Sequence, residues 1–346
     1  MCGRAKCCFL RLLPCSVGLL LFLPAGNAIS QDSFVDRQQR PIPLSMINQS
    51  PIQLLFLQLA PDKADTLPKG HTSARFNTTI TNTLQSEASA HYRAAIDMEM
   101  IRTSLELSYG ILSCLEVGLS FPVAHYSSGF MDRPIREVER MSGKIRPERR
   151  EEKPGHFTYL VMKDDEVLIS SCKDTTRIGD VVLRAKARVW DEGDALPRLS
   201  ARFAVKLPTG DDDRAFGSSE VDWGLGLLLQ KDYNKMSFYL NGDVVFPGDA
   251  FDYAEVSLKE FYSFMAGVEY VYTSRFSIVA QLSWLTRPFE DTGLDVLDRR
   301  IIELLVGVNY RMKNNVYVQT GFMEDVFDSD EAGADFTLFL NTGINF

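Results

Sequence analysis

The chain has 346 residues and a formal net charge of −9, and four of its six cysteines lie in the first 15 residues. An acidic chain disfavours a nucleic-acid partner. The cysteine spacing shows neither a CxxC motif nor a disulfide framework. Composition therefore gives no support for a nucleic-acid-binding, metal or redox protein.

The N-terminus has the pattern of a secretory signal peptide. Basic residues precede the apolar run 17–23, and small residues follow up to Ala28. This order predicts cleavage after Ala28, so that residues 1–28 direct export. The apolar run is too short to favour the alternative, a transmembrane anchor. Cleavage would leave Cys114 and Cys172 as the cysteines of the exported chain.

Apolar side chains alternate with polar ones from about Ser73 to Phe346. A period of two over segments of about ten residues is typical of β-strands with one apolar face. After residue 28, no uncharged apolar stretch is long enough to cross a bilayer as a helix. A membrane protein made of strands must close into a barrel, because lipid cannot satisfy backbone polar groups. The clearest segments are 181–189, 199–207, 221–229, 262–272, 276–284, 302–310 and 336–346.

These segments predict an all-β fold, a transmembrane antiparallel up-and-down β-barrel of about twelve strands. Short and long connections alternate, which places the short turns in the periplasm and the long loops outside. The long loop 126–178 contains a candidate amphipathic helix from Pro134 to Met141 and the charge run 144–153. We interpret this loop either as a solvated lid or as a basic patch against lipopolysaccharide phosphates.

One predicted strand, from about His91 to Ile111, changes phase in its middle. Met100 and Ile101 are neighbours in the chain and both are apolar, which breaks the period of two. A β-bulge at this point would explain the change, and so would a strand that projects above the membrane.

A soluble β-sandwich would also show alternating strands. The alternation of short and long connections, the aromatic strand ends and the terminal Phe346 favour the barrel. A terminal Phe on an amphipathic last strand resembles the signal by which outer-membrane barrels are recognised for assembly. We therefore expect the outer membrane of a Gram-negative bacterium, with lipid, lipopolysaccharide and the barrel-assembly machinery as partners.

The segment 29–72 precedes the predicted barrel 73–346. It includes the apolar stretch from Ile52 to Phe56, which needs burial. It is predicted to be either an extended periplasmic arm or a plug inside the barrel.

Several short sequence motifs resemble, in their order and spacing, those of a proteobacterial family of unknown function, number 3187. The resemblance covers most of the exported chain. It implies an outer-membrane-type barrel with no established activity, and it carries over no catalytic residue. The motifs are Asn48-Gln49-Ser50-Pro51, Tyr109-Gly110, Gly179-Asp180-Val181-Val182-Leu183, Lys206-Leu207-Pro208-Thr209-Gly210 and Gly217-Ser218-Ser219-Glu220-Val221-Asp222.

If the apolar set faces lipid, the opposite set lines the lumen. This set is basic on two neighbouring strands and acidic elsewhere, an arrangement that could orient a solute in a narrow channel. Paired across a filled lumen, the same charges would form a salt-bridged core. The predicted lumen-lining residues are Arg184, Lys186, Arg188, Arg202, Lys206, Asp222, Asp243, Glu269 and Glu303. Apolar residues at six inward positions argue against a wide general porin; they are Phe261, Met265, Leu285, Ile301, Leu305 and Phe339.

No motif predicts catalysis, a cofactor or a metal. None of the four histidines lies in a recognisable motif, and Gly217-Ser218-Ser219 lacks the Gly-x-Ser-x-Gly pattern of a nucleophile elbow. We therefore expect no enzyme. The hypothesis is a restricted channel or uptake protein for small solutes. The alternatives are a non-transporting barrel that serves envelope structure or assembly, and then an outer-membrane hydrolase.

Overall fold

The computed structural model describes residues 43–129, 131, 155–312, 315–326 and 336–346. The predicted signal peptide, the candidate helix from Pro134 to Met141 and the charge run 144–153 lie outside these residues. Within the described ranges, no helix has the length and apolar character needed to cross a membrane.

Twelve of the strands in the described ranges form a closed antiparallel barrel. Each pairs with the next barrel strand along the chain, and the first pairs with the last to close the sheet. This confirms the predicted fold class and strand count. The barrel strands are β1 (Thr72–Ala88), β2 (Tyr92–Leu112), β3 (Leu115–Ser127), β7 (Val181–Trp190), β8 (Arg198–Leu207), β9 (Asp222–Tyr233), β10 (Met236–Phe246), β11 (Phe261–Val271), β12 (Phe276–Leu285), β13 (Ile301–Arg311), β14 (Val316–Asp325) and β15 (Phe336–Asn345).

The two ends of the barrel differ in the length of their connections. Short turns join β2 to β3, β7 to β8, β9 to β10 and β11 to β12 at one end, which we call the turn end. Asn234 in one of these turns has a φ of 54°, a left-handed conformation that Asn tolerates better than most residues. Thr72 and Phe346 also lie at the turn end and exchange backbone hydrogen bonds. The longer connections lie at the opposite end, which we call the loop end, together with the short connection of β1 to β2.

Three more strands lie in the stretch that the sequence predicts as a loop from 126 to 178. They are β4 (Thr158–Lys163), β5 (Glu166–Ser170) and β6 (Thr175–Ile178). β4 pairs with β2 and β5, and β6 pairs with β3. The prediction of a loop was wrong over these ranges, because β2 extends beyond its pairing with β3, and β3 beyond its pairing with β7, so that both offer edges whose backbone groups need partners.

β2 keeps one register through the point where its apolar pattern changes phase. Its pairing with β1 continues without a shift from Arg93 to Tyr109, and its pairing with β3 is regular on both sides of Met100. The hypothesis of a bulge was therefore wrong. The inward residues become apolar toward the loop end because they join a buried cluster there, in which Met98 and Met100 are each 1% exposed.

The outward face of the barrel is a belt of exposed apolar side chains, as a lipid-facing surface requires. Leu227 is 55% exposed and the terminal Phe346 is 66% exposed. Other members are Leu105, Phe121, Leu183, Phe203, Leu225, Phe238, Phe264, Ile278, Phe322 and Leu340.

Residues 43–67, which we call the inner segment, lie inside the barrel. Their backbone binds inward side chains of distant strands, including Gln281 on β12 and Asp222 on β9. Phe56 is buried, and its ring packs edge-on against Phe261 and Phe289. The apolar stretch that needs burial thus receives it from the loop-end half of the lumen.

Candidate functional site

Lys206 fixes the middle of the inner segment. Its Nζ lies 3.2 Å from Asp180 and 3.1 Å from Asp222, and it donates a hydrogen bond of 2.6 Å to the carbonyl of Leu55. Asp222 in turn accepts a hydrogen bond of 2.7 Å from the backbone N–H of Leu57. A buried charge is tolerated only when it is paired and hydrogen-bonded, and these groups satisfy one another through the inner segment.

Arg202 holds the next part. Its guanidinium forms two 2.7 Å hydrogen bonds with the two carboxylate oxygens of Asp243, and it donates to the carbonyls of Ala60 and Leu59. This is the paired fork geometry that makes Arg–carboxylate contacts strong. Gly226 leaves the room for it, since a Cβ there would collide with Asp243 and lie 3.0 Å from Nε of Arg202.

Lys186 and Arg188 bind the last part. Lys186 lies 2.7 Å from Asp62 of the inner segment and 3.1 Å from Glu116 on β3. Arg188 lies 3.1 Å from Asp65. Four of the five basic side chains predicted to line the lumen therefore bind the inner segment, in an ordered series from position 55 to position 65.

The two remaining predicted acids have different surroundings. Glu269 accepts hydrogen bonds from Tyr239 (2.7 Å) and Ser277 (2.6 Å), so these contacts tie it into the wall. Glu303 accepts a 2.7 Å hydrogen bond from the side chain of Asn48 in the inner segment.

The start of the inner segment is also held from the loop end. Arg287, in the connection after β12, is almost fully buried and donates to the hydroxyl of Ser50 and to the carbonyl of Arg299. Burial lowers the pKa of Arg287 to about 10, and the charge of Glu303 opposes this decrease. The guanidinium therefore stays charged at neutral pH.

A cavity of about 190 Å³ remains between the inner segment and the wall formed by β1, β2, β3, β7 and β8. Its lining reaches from Tyr126 and Phe216 near the loop end to Arg311 and Asn345 near the turn end. Tyr126 and Phe216 are buried and stack at a ring distance of 4.2 Å. The cavity therefore meets an aromatic cap toward the loop end and partly exposed polar residues at the turn end.

Sequence reasoning missed four basic residues of this cavity: Lys63 in the inner segment, Arg75 on β1, Arg102 on β2 and Arg311 on β13. Arg184, which was predicted, lies 2.9 Å from Glu106, and Arg75 lies 3.5 Å from the same carboxylate. The signal was present in the alternation, because the inward positions of β1 and β2 are polar through these stretches. A Cβ on Gly118 would lie 2.5 Å from Nε of Arg184, so a glycine there leaves space for that side chain.

The described ranges contain no group of three or more His, Cys, Asp or Glu placed to hold a metal. His91 and His156 each contact a single carboxylate and are exposed. Cys114 and Cys172 are not bonded to each other. No nucleophile–base pair is brought together by these residues.

A family model described as "Protein of unknown function (DUF3187)" matches residues 27–346. The chain belongs to this family. This match confirms the resemblance that the short sequence motifs indicate. A comparison with curated proteins finds no significant match.

The DUF3187 barrel is similar to the crystal structure of the COG4313 outer membrane channel from Pseudomonas putida F1. The two chains are 17% identical with a TM-score of 0.56, covering 84% of this chain and 100% of that one. This likeness shows a shared outer-membrane barrel fold. The KdgM porin in complex with disordered oligogalacturonate matches at 9% identity and a TM-score of 0.41, over 79% of this chain and 98% of that one. The toluene transporter TodX from Pseudomonas putida matches at 9% identity and a TM-score of 0.38, over 87% of this chain and 98% of that one. These two scores are too low to add to the argument.

Three of the sequence motifs that carry the DUF3187 resemblance meet at the carboxylate of Asp180. Asp180 accepts hydrogen bonds from the backbone N–H groups of Thr209 (3.0 Å), Gly210 (2.8 Å) and Ser218 (3.3 Å), and it pairs with Lys206. In the sequence these motifs indicate strand ends and turns. In the structure they also surround Lys206, which binds the inner segment at Leu55.

Proposed function

We propose that this DUF3187 protein is a restricted outer-membrane channel, in which small polar solutes pass between the inner segment and the wall of β1, β2, β3, β7 and β8. The observation that carries the proposal is the extent of the cavity, whose lining includes residues from both halves of the barrel. The apolar outer belt fits a lipid environment. The proposal involves no catalytic step.

The inner segment sets the size of the path in this proposal. Its contacts with Lys206, Arg202 and Lys186 hold it in place, and a smaller cavity of about 50 Å³ remains on its other side, beside β10, β11 and β12. A cavity of about 190 Å³ has room for roughly 10 to 20 water molecules. Such a space suits small solutes and excludes polymers.

The same ion pairs favour a second candidate, a barrel that does not transport and serves envelope structure or assembly. Four of the five predicted basic residues are tied to the inner segment and to carboxylates, which is also what a packed core would need. Contacts with outer-membrane lipid and lipopolysaccharide, and recognition of Phe346 by the assembly machinery, belong to both candidates as proposals.

Conductance in planar bilayers separates the two candidates. We expect small, regular current steps from the full chain and steps several-fold larger from a variant that lacks residues 43–66, because the segment no longer fills the lumen. Leu67 onward is kept, since Leu67 donates to Glu116 and the following residues bind β2. Both proteins must first show heat-modifiable migration, as folded barrels do. Absence of current from both folded proteins would reject the channel and favour the structural barrel.

A further inference from the structure

The cavity is basic although the chain is acidic. Eight of the twelve charged side chains that line it are Lys or Arg, whereas the whole chain has a net charge of −9. Asp222 and Asp243, which lie outside the lining, partner two of these residues, Lys206 and Arg202. An excess of positive charge remains beside β1, β2 and β7.

This excess comes from three guanidinium groups beside a single carboxylate, Glu106, which contacts two of them. Glu106 lies 2.9 Å from Arg184 and 3.5 Å from Arg75, and it also accepts a 2.8 Å hydrogen bond from Asn77. The side chain of Arg102 has no hydrogen bond or ion pair within the part of the chain that the structure describes. A guanidinium in a confined space that contacts no carboxylate favours an anion from solution.

The backbone positions of the three residues lie at successive levels along the strands, whereas the side chains of Arg75 and Arg184 converge on Glu106. Arg102 is paired in register with Thr79, and four residues further along β2, Glu106 is paired with Arg75. Arg184 is paired with Gly118, which faces Ser108, two residues beyond Glu106. At about 3.3 Å per residue, these levels are separated by roughly 13 Å and then roughly 7 Å.

We propose that Arg75, Arg102 and Arg184 bind a small oxyanion, a carboxylate or a phosphate, in this cavity. The guanidinium fork matches both kinds of anion, and three such groups in the lining of one cavity offer an anion more than one partner. This proposal deepens the proposed function and rests on it for passage of the anion through the barrel, but binding itself requires only the folded barrel.

Titration calorimetry of the folded full chain in detergent tests the site, with succinate and inorganic phosphate as separate probes. We expect saturable binding of at least one probe, and binding about tenfold weaker in Arg102→Gln, which removes one charged hydrogen-bonding group. The matched control is Arg177→Gln, because Arg177 is half-exposed on β6 and pairs with Asp211 outside the cavity. Tighter binding of succinate would identify a carboxylate site, and tighter binding of phosphate a phosphate site.

The outcome distinguishes this proposal from the channel itself. Saturable binding that weakens in Arg102→Gln, in a protein that carries no current, would support the site and reject the channel. Two results would overturn the site and support the channel alone. The full chain would carry current and bind neither probe, or it would carry current while Arg102→Gln and Arg177→Gln bind the probes equally well. Arg102→Lys provides a second check, since it keeps the positive charge and loses the guanidinium fork. We expect its affinity for the probe to lie between that of the unmodified chain and that of Arg102→Gln.

Discussion

The ammonium group of Lys206 lies 3.1 Å from the carboxylate of Asp222, and both groups also bind the backbone of the inner segment. The side chains are 2% and 1% exposed. Charge on the wall and position of the inner segment are therefore coupled, since neither charged group is fully satisfied without Leu55 and Leu57.

Removing Lys206 should loosen the inner segment. Lys206→Met leaves Asp180 and Asp222 buried without their cation, which typically costs about 3–5 kcal/mol. We expect that decrease in the free energy of unfolding, measured by urea titration in detergent. Lys206→Met combined with Asp222→Leu should recover part of the loss. If the double variant is less stable than the single one, the ion pair does not have the role assigned to it.

The space beside Arg202 should be sensitive to a single methyl group. Gly226→Ala places a Cβ against Asp243 and Arg202, so we expect a loss of about 1–3 kcal/mol in the free energy of unfolding. Gly193→Ala is the matched control, because a Cβ there meets nothing within 4 Å. Equal stability of the two variants would contradict the close packing inferred around the ion pair.

The aromatic cap should limit passage at the loop end. Phe216→Ala removes one ring of the stack with Tyr126, and we expect larger current steps from this variant than from the unmodified chain. Phe246→Ala is a suitable control, since Phe246 stacks on Trp223 at a similar distance of 4.1 Å and Trp223 is exposed on the outer face. Larger steps from the control alone would place the restriction elsewhere.

The two described cysteines test the sidedness predicted from loop length. Cys172 is exposed in the connection between β5 and β6, and Cys114 lies in the turn between β2 and β3. A membrane-impermeant maleimide added to whole cells should label Cys172 and spare Cys114, while both should react after denaturation in urea. Labelling of Cys114 alone in whole cells would invert the topology.

The sequence was sufficient for the barrel because period-two alternation depends on one local rule, the opposite directions of successive side chains. It also identified Lys206 and Asp222 as inward residues. It could not assign their partners, since contacts between Lys206 and Leu55 join parts of the chain that no local pattern relates. Arg75 and Arg102 were missed for a different reason, because each is the single basic residue on the inward face of its strand, a weaker signal than the alternating basic residues of β7.

The loop 126–178 shows the limit of the same rule. β4 is too short to give a clear alternation, and it forms because β2 extends past its pairing with β3. Whether such an edge exists depends on the lengths of neighbouring strands. That information is tertiary, so the sequence of the loop alone did not predict these strands.

The central claim is that solutes pass on one side of the inner segment and not on the other. Two serines on the barrel wall distinguish these sides: Ser120 lines the cavity, whereas Ser200 is fully buried and donates a hydrogen bond to the carbonyl of Ala64. The measurement is block of bilayer current by a negatively charged thiol reagent in Ser120→Cys and Ser200→Cys, each in a background with Cys114 and Cys172 replaced by Ser. We predict a lasting decrease in current for Ser120→Cys and none for Ser200→Cys. Block of Ser200→Cys with no effect on Ser120→Cys would contradict the account.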